Sequence, residues 1–298
     1  MKGLSVKRGS DGFLRVALHY TADEEKISPE WRAHARAGMQ EWMWQQEYEI
    51  NWRARGGRLV YDMWDPEIHE VVLGDIPDTW TRYRALDHGL ANPTACVWAA
   101  VDTENNVWIY REYYHAERVV AENCRAILEL QGEKEDGWIR ATYADPSIWE
   151  RHPATGKMLA DEYADAGVSL TKANNSITAG INKVSSYLIA AVCRWAKDKG
   201  KPHAYLEGWA KEKVDELARK PALYVARRCE NTIRELKGLR WKEIMGNPAE
   251  HNLQEKPQEV DDHAADAVRY LLMAEPRYRK PAAQVPYQRR AMVGRTGY

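Results

Sequence analysis

The chain is poor in the features that usually announce a class. Over 298 residues, 43 Lys and Arg nearly cancel 44 Asp and Glu, so the formal net charge is −1 and no global basic field draws the protein to nucleic acid. That balance does not exclude such a partner, because a local basic stripe is enough. No apolar run approaches the ~18 residues of a membrane-spanning helix. Met1-Lys2-Gly3-Leu4-Ser5 leads into charged residues rather than the apolar centre of a secretory leader, so neither membrane insertion nor secretion is expected. Cysteine is scarce. Cys96, Cys124, Cys193 and Cys229 form no C-x-x-C pair, which argues against a compact zinc site or a disulfide framework and predicts four reduced thiols, mostly in a core. Internal repeats are absent. So is a G-x-x-x-x-G-K-[ST] phosphate loop, since Gly156-Lys157-Met158 lacks both the upstream Gly and the hydroxyl residue.

Aromatic residues are plentiful, apart from Phe. Thirteen Trp and sixteen Tyr in a chain that is 44% hydrophobic are too much apolar surface to leave in water, so a folded domain with a sizeable core is expected. Residues 1–57 read as a small, mostly helical accessory region. Phe13–Tyr20 has strand character, Pro29 opens one helix, a second covers Met39–Trp52, and Arg55-Gly56-Gly57-Arg58 breaks it. Residues 58–77 read as extended or loop. Arg82–Gly89 is a strand ending in a turn, followed by strands Thr94–Val101 and Val107–Tyr114 around the polar turn 102–106. A helix is expected over Ala116–Leu130, with Val119, Val120, Ile127 and Leu130 on one face. Strand Trp138–Ala144 follows and ends in Asp145-Pro146-Ser147. Then come a helix near Lys157–Ala166, a short strand Val168–Leu170, a long helix Ile177–Lys197, a strand Leu223–Val225, helical residues Thr232–Leu236 and a last helix Gln258–Met273. The segment 275–298 carries three prolines and six basic residues against one acid, and reads as a basic, unfolded tail.

Three hairpin-linked strands, a helix, a fourth strand and then alternating elements give the order of an α/β, RNase H-like fold, a mixed central sheet flanked by helices. In that order the first and fourth strands lie side by side. Asp87 at the end of one and Asp145 at the end of the other then converge at one sheet edge. Close carboxylates repel, and a hard divalent cation such as Mg²⁺ or Mn²⁺ relieves the repulsion. Two such ions would suit phosphodiester hydrolysis. The last helix supplies the third element. At about 100° per residue, Val260, Ala264, Ala267 and Leu271 define its buried face, and Asp266 and His263 lie beside that face. Asp262 falls opposite if the helix includes it, or serves as the N-cap. Geometry thus ranks Asp266 and His263 above Asp262 as ligands. His88 and His152 read as solvated or supporting residues near the site, and Lys172 and Lys183 as solvated, with phosphate contacts as the alternative.

Leu86-Asp87-His88-Gly89 with Asn92-Pro93-Thr94, then Tyr143–Ser147, then Asp261–Tyr270, resemble the nuclease domain of phage large terminase subunits over about Val71–Met273. Leu18–Asp23, Trp44–Ile50 and Gly56-Gly57 resemble the stretch that joins that family's ATPase domain to its nuclease domain. The resemblance implies a metal-dependent endonuclease that cuts concatemeric double-stranded DNA for packaging, working in the host cytoplasm. Its implied partners are a portal protein, a small terminase subunit and a separately encoded ATPase part. It implies metal ligation by Asp87 and Asp145, with the remaining ligand open among Asp262, His263 and Asp266. Residues 1–57 become a remnant of the ATPase side, 58–274 the nuclease domain and 275–298 the tail; with no phosphate loop, no ATPase activity is expected. Two other readings compete: a non-catalytic packaging module, and another RNase H-like nuclease such as a junction resolvase.

Overall fold

The computed structural model describes residues 3–8, 13–36, 44–45, 47–50, 57–132, 138–151, 156–242 and 256–280. Strand β1 (Leu4–Arg8) pairs antiparallel with β2 (Leu14–Leu18), and helix α1 spans Pro29–Arg36. The accessory region thus contains a two-stranded sheet as well as helix, and the expected reading missed β1. Alternation places Leu4 opposite Leu18 and Val6 opposite Val16 on one face of this pair. The helix expected over 39–52 lies partly outside the described residues.

From Gly57 onward the fold is built on one seven-stranded sheet. Its strands are β3 (Glu70–Val71), β4 (Thr81–Asp87), β5 (Thr94–Val101), β6 (Val107–His115), β7 (Ile139–Ala144), β8 (Thr171–Lys172) and β9 (Leu223–Ala226), in spatial order β3-β9-β6-β5-β4-β7-β8. Strands β4, β5 and β6 form the antiparallel meander, and β7 runs parallel to β4 with Leu86 beside Ala144. This register puts the residues that follow, Asp87 and Asp145, at the same sheet edge. Strand β5 is buried along its whole length, which is why it reads as an unbroken apolar run.

Helices cover both faces. One face meets α3 (Val120–Gln131) and α4 (Leu159–Asp165); the other meets α5 (Ile177–Lys199), α7 (Glu230–Gly238) and α8 (His263–Met273). Short helices α2 (Pro66–His69) and α6 (Lys211–Leu217) lie beside these. All four cysteines are buried and unpaired, as expected.

Several boundaries depart from the sequence expectation, each for a local reason. Helix α3 starts at Val120 because Glu117 is left-handed, with φ of +58°; Val119 and Leu130 are 56% and 46% exposed instead of core. Helix α8 starts at His263, not Gln258, because Asp261 is left-handed, with φ of +51°; Val260 is 68% exposed, so it is no part of the buried face. Gln258 instead donates its backbone N–H to the Arg240 carbonyl at 2.8 Å. The edge strand β8 falls at Thr171–Lys172 rather than at Val168–Leu170, since the parallel partners of Tyr143 and Ala144 are those two residues. Residues 66–69 form α2 where extended or loop structure was expected, and β3 follows: Pro66 opens the helix and the Asp65 carboxylate accepts from the Glu67 N–H at 2.8 Å.

The helix carrying the acidic motif is placed by a relay of caps. Glu112 on β6 accepts from the backbone N–H groups of Asn231 and Thr232 at 2.9 and 2.8 Å, holding the start of α7. Glu235 on α7 in turn accepts from the N–H groups of Ala264 and Ala265 at 2.5 and 3.2 Å, holding the start of α8. Ala264, Ala265 and Ala267 are all buried, and their small side chains let α8 lie close against the sheet.

Candidate metal centre

Each acid is delivered by a local device. After Asp87 the chain must turn sharply, and a Cβ at Gly89 would collide with the carbonyl oxygens of Asn92 and Pro93, so only glycine fits there. Beyond β7, Pro146 opens a single 3₁₀ turn, and Asp145 caps it by accepting from the Ser147 N–H at 2.7 Å. On α8, Asp266 and Tyr270 stand one turn apart and share a face.

These residues meet at one atom. The Tyr270 hydroxyl lies 2.9 Å from Oδ2 of Asp145, 3.4 Å from Oδ1 of Asp87 and 3.4 Å from Oδ2 of Asp266. A phenol has one proton, which the shortest contact assigns to Asp145; the other two contacts set lone pairs against carboxylate oxygen. Around this point, Nδ1 of His263 lies 3.0 Å from Oδ2 of Asp87, Arg269 forks onto Asp266, and Asn175 Nδ2 donates to Oδ2 of Asp145 at 3.1 Å. A cleft of about 250 Å³ opens beside the cluster, lined among others by Asp145, Asn175, Lys256, Asp262 and Asp266.

The electrostatics follow from burial and crowding. Burial raises the Asp87 carboxyl, and nearby Asp266 and Asp145 add to this, against the hydrogen bond from His263. Burial would also raise Asp145, but hydrogen bonds from Ser147, Tyr270 and Asn175 outweigh it and hold the group below the usual range. His263 is raised by its hydrogen bond to Asp87. Asp262 is pushed up to about 6 by burial and by the charge of Asp266.

The structure therefore brings Asp87, Asp145 and Asp266 onto one hydroxyl, with His263 on Asp87. Asp262 is the N-cap residue of α8, yet its side chain makes no capping hydrogen bond and lines the cleft instead. His88 sits behind the site, its Nδ1 2.9 Å from the Tyr163 hydroxyl. His152 lies outside the described residues. Lys172 is exposed over the Trp149 ring, and Lys183 pairs with Glu275. Sequence reasoning missed Tyr270, Arg269 and Asn175. The first two carried a signal, standing four and three residues beyond Asp266 on a helix; Asn175 carried none.

Among the described residues, no group of three His, Cys, Asp or Glu side chains is spaced to hold a metal ion as the side chains stand. The Tyr270 hydroxyl takes the shared position, and Arg269 and His263 each engage an acid. The donor chemistry nevertheless fits a hard divalent cation. Three carboxylates reach one atom, two of them against lone pairs, and such an all-oxygen set is relieved by positive charge.

A test of this crowding follows from Asp262. A carboxyl raised in the folded state stabilises the fold below its unfolded pKa, near 4, and loses that stability as pH rises through about 6. Asp262→Asn is expected to flatten the fall in melting temperature between about pH 4 and 6 and to raise it above pH 6. Thermal melts across pH read this; an unchanged slope removes the burial and the neighbouring charge assigned to Asp262.

No model of a known protein family matches the chain, and no curated protein does. Solved structures do. The large terminase of a thermophilic bacteriophage superposes with a TM-score of 0.53 at 19% identity, over 86% of this chain and 54% of that one. The nuclease domain of the P22 large terminase gives a TM-score of 0.52 at 19% identity, over 74% of this chain and 93% of that one. The chain has the large-terminase nuclease fold. It spans about half the length of the thermophilic-phage terminase but nearly all of the P22 nuclease domain. In this terminase nuclease fold the β4 and β7 ends and the start of α8 form the acidic edge described above. No described helix is long and apolar enough to cross a membrane.

Proposed function

We propose that the protein is a metal-dependent endonuclease that cuts concatemeric double-stranded DNA during viral genome packaging in the host cytoplasm. The convergence of Asp87, Asp145 and Asp266 on the Tyr270 hydroxyl, in a terminase nuclease fold, carries this reading. Asp87, Asp145 and Asp266, with His263, would hold two Mg²⁺ or Mn²⁺ ions, and Asp262 stands ready at the cleft. Bound there, such ions would supply Lewis acidity for water attack on a phosphodiester. The chain's own residues hold that arrangement. Ser147 and Asn175 keep Asp145 ionised and aimed, and His263 orients Asp87.

In this proposal residues 58–274 are the nuclease and 1–57 an ATPase-side remnant. Residues 275–280, expected to be part of an unfolded tail, instead bond to β4 and to the turn after β5; in this proposal the basic segment 275–298 meets DNA backbone or a partner. Packaging partners are a portal protein, a small terminase subunit and a separately encoded ATPase part that drives translocation. Supercoiled plasmid incubated with the protein and Mn²⁺ is expected to be nicked and linearised, and chelation with EDTA to stop it. No cleavage of plasmid or linear DNA with Mn²⁺ refutes the proposal; cleavage confined to four-way junctions reassigns it to a resolvase.

A further inference from the structure

Arg269 is a cation buried beside these carboxylates, with only 4% of its surface exposed. Each of its side-chain nitrogens is committed. Nε donates to Oδ1 of Asp266 at 3.0 Å, Nη2 to Oδ2 of Asp266 at 2.6 Å, and Nη1 to the Asn175 carbonyl oxygen at 2.8 Å. Its guanidinium carbon also stands 4.7 Å from the centre of the Tyr270 ring. Asn175 passes the connection on, since its side-chain Nδ2 donates to Asp145. One planar fork is thereby tied directly to Asp266 and, through a single residue, to Asp145. A lysine could not make that set of contacts, having one nitrogen instead of a rigid fork.

The stem of Arg269 needs a slot, and Gly180 on α5 provides it. A Cβ at Gly180 would collide with Cγ and Cδ of Arg269. This glycine lies within the helix and is buried, where glycine costs about 1 kcal/mol relative to alanine. The passage of the arginine accounts for its presence.

Two effects of Arg269 oppose each other. A guanidinium repels an incoming cation, but it also prevents mutually repelling acids from splaying. Asp266 is paired with it at both oxygens, so the two present a dipole rather than a free positive charge, and the ordering effect prevails. Resting on the metal-nuclease reading above, we propose that Arg269, seated in the slot left by Gly180, is a positioning residue that holds Asp266 and, through Asn175, Asp145 together at the acidic edge before any ion arrives. It touches neither substrate nor reacting atoms, and acts through those two carboxylates.

Titration calorimetry with Mn²⁺ on the full chain tests this without reference to cleavage. Groups that orient metal ligands typically change affinity by about 10–100-fold when lost. Arg269→Lys, which keeps the charge and loses the fork, and Gly180→Ala, which keeps every polar group and displaces the stem, are both expected to weaken Mn²⁺ binding in that range. Asn175→Ala removes one exposed side chain and is expected to weaken it about tenfold with an unchanged melting temperature. This last variant reads only the link to Asp145; if the other two fail to fold, the titration of Arg269→Met, which keeps the stem and loses the fork, decides the part of the arginine. Mn²⁺ affinity equal to wild type in Asn175→Ala and in folded Arg269→Lys overturns the proposal. So does tighter binding in Arg269→Met, which would make the arginine a competitor of the ion. A wild-type protein that binds no Mn²⁺ sinks the nuclease reading and this inference with it, whereas normal wild-type binding with unaffected variants sinks the inference alone.

Discussion

Asp145→Asn is expected to reduce Mn²⁺-dependent plasmid nicking by about a hundred- to a thousandfold, the range seen when a charge-stabilising group is lost from an active site. The substitution is close to isosteric. An amide oxygen can still accept from the Ser147 N–H, so the 3₁₀ turn after β7 keeps its cap. What disappears is a negative charge and a hard oxygen donor at the point where three acids meet. Asp145 is held ionised against its burial by three sets of hydrogen bonds, so its charge is present over the whole working range. The melting temperature without metal is expected to fall, because a carboxyl held below its usual range stabilises the fold in its ionised form, and the amide loses the bonds donated by Tyr270 and Asn175. Initial rates of supercoiled plasmid loss at saturating Mn²⁺, read beside the thermal melt, check both halves. A folded variant that nicks at the wild-type rate removes Asp145 from the chemistry; Asp87→Asn, at the adjoining strand end, is expected to lose nicking to a similar extent.

Glu235→Ala is expected to give the largest loss of stability, about 3 kcal/mol, because each buried polar group left without a partner costs about 1–3 kcal/mol. Glu235 is fully buried and takes hydrogen bonds from the N–H groups of Ala264 and Ala265 and from the Tyr114 hydroxyl, the last at 2.6 Å. The Asp262 side chain makes no capping bond, so the start of α8 depends on this acid. Urea unfolding reads the loss directly, and a fall in melting temperature of about 6–12 °C corresponds to it for a domain of this size. Glu235→Gln keeps an acceptor for part of the set and is expected to lose less. If Glu235→Ala unfolds like wild type, the relay from β6 through α7 to α8 does not hold the helix. Because α8 carries His263, Asp266, Arg269 and Tyr270, the same variant is expected to weaken Mn²⁺ binding even where it remains folded.

The acidic centre shows how far residue patterns reach. Asp87 and Asp145 were legible because each closes a run of alternating or apolar residues at a turn, and the order of elements places those two strand ends together. Asp266 was legible through helical periodicity. Tyr270, at the middle of the cluster, stood only at the end of the Asp261–Tyr270 motif, with no role of its own. Its polar role depends on which carboxylates arrive from β4 and β7, and no local pattern carries that. Asn175 precedes α5 in a polar loop, and its tie to Asp145 exists only because β8 pairs with β7. The start of α8 was misplaced by several residues because helical periodicity extends through Val260, whereas the left-handed Asp261 breaks it.

Local chemistry alone therefore determined strands β2, β4, β5, β6, β7 and β9, most of the helices, the buried thiols and the candidate acids, because backbone preference and the alternation of apolar side chains act over a few residues. The tertiary structure decided what those acids touch. Parallel pairing of β4 with β7 set two carboxylates side by side, a buried Glu235 on a separate helix fixed where α8 begins, and an arginine threaded past Gly180 gripped the third acid. Each is a contact between segments far apart in the chain, governed by close packing and by the need of buried charge for a partner, neither of which is encoded within any one segment.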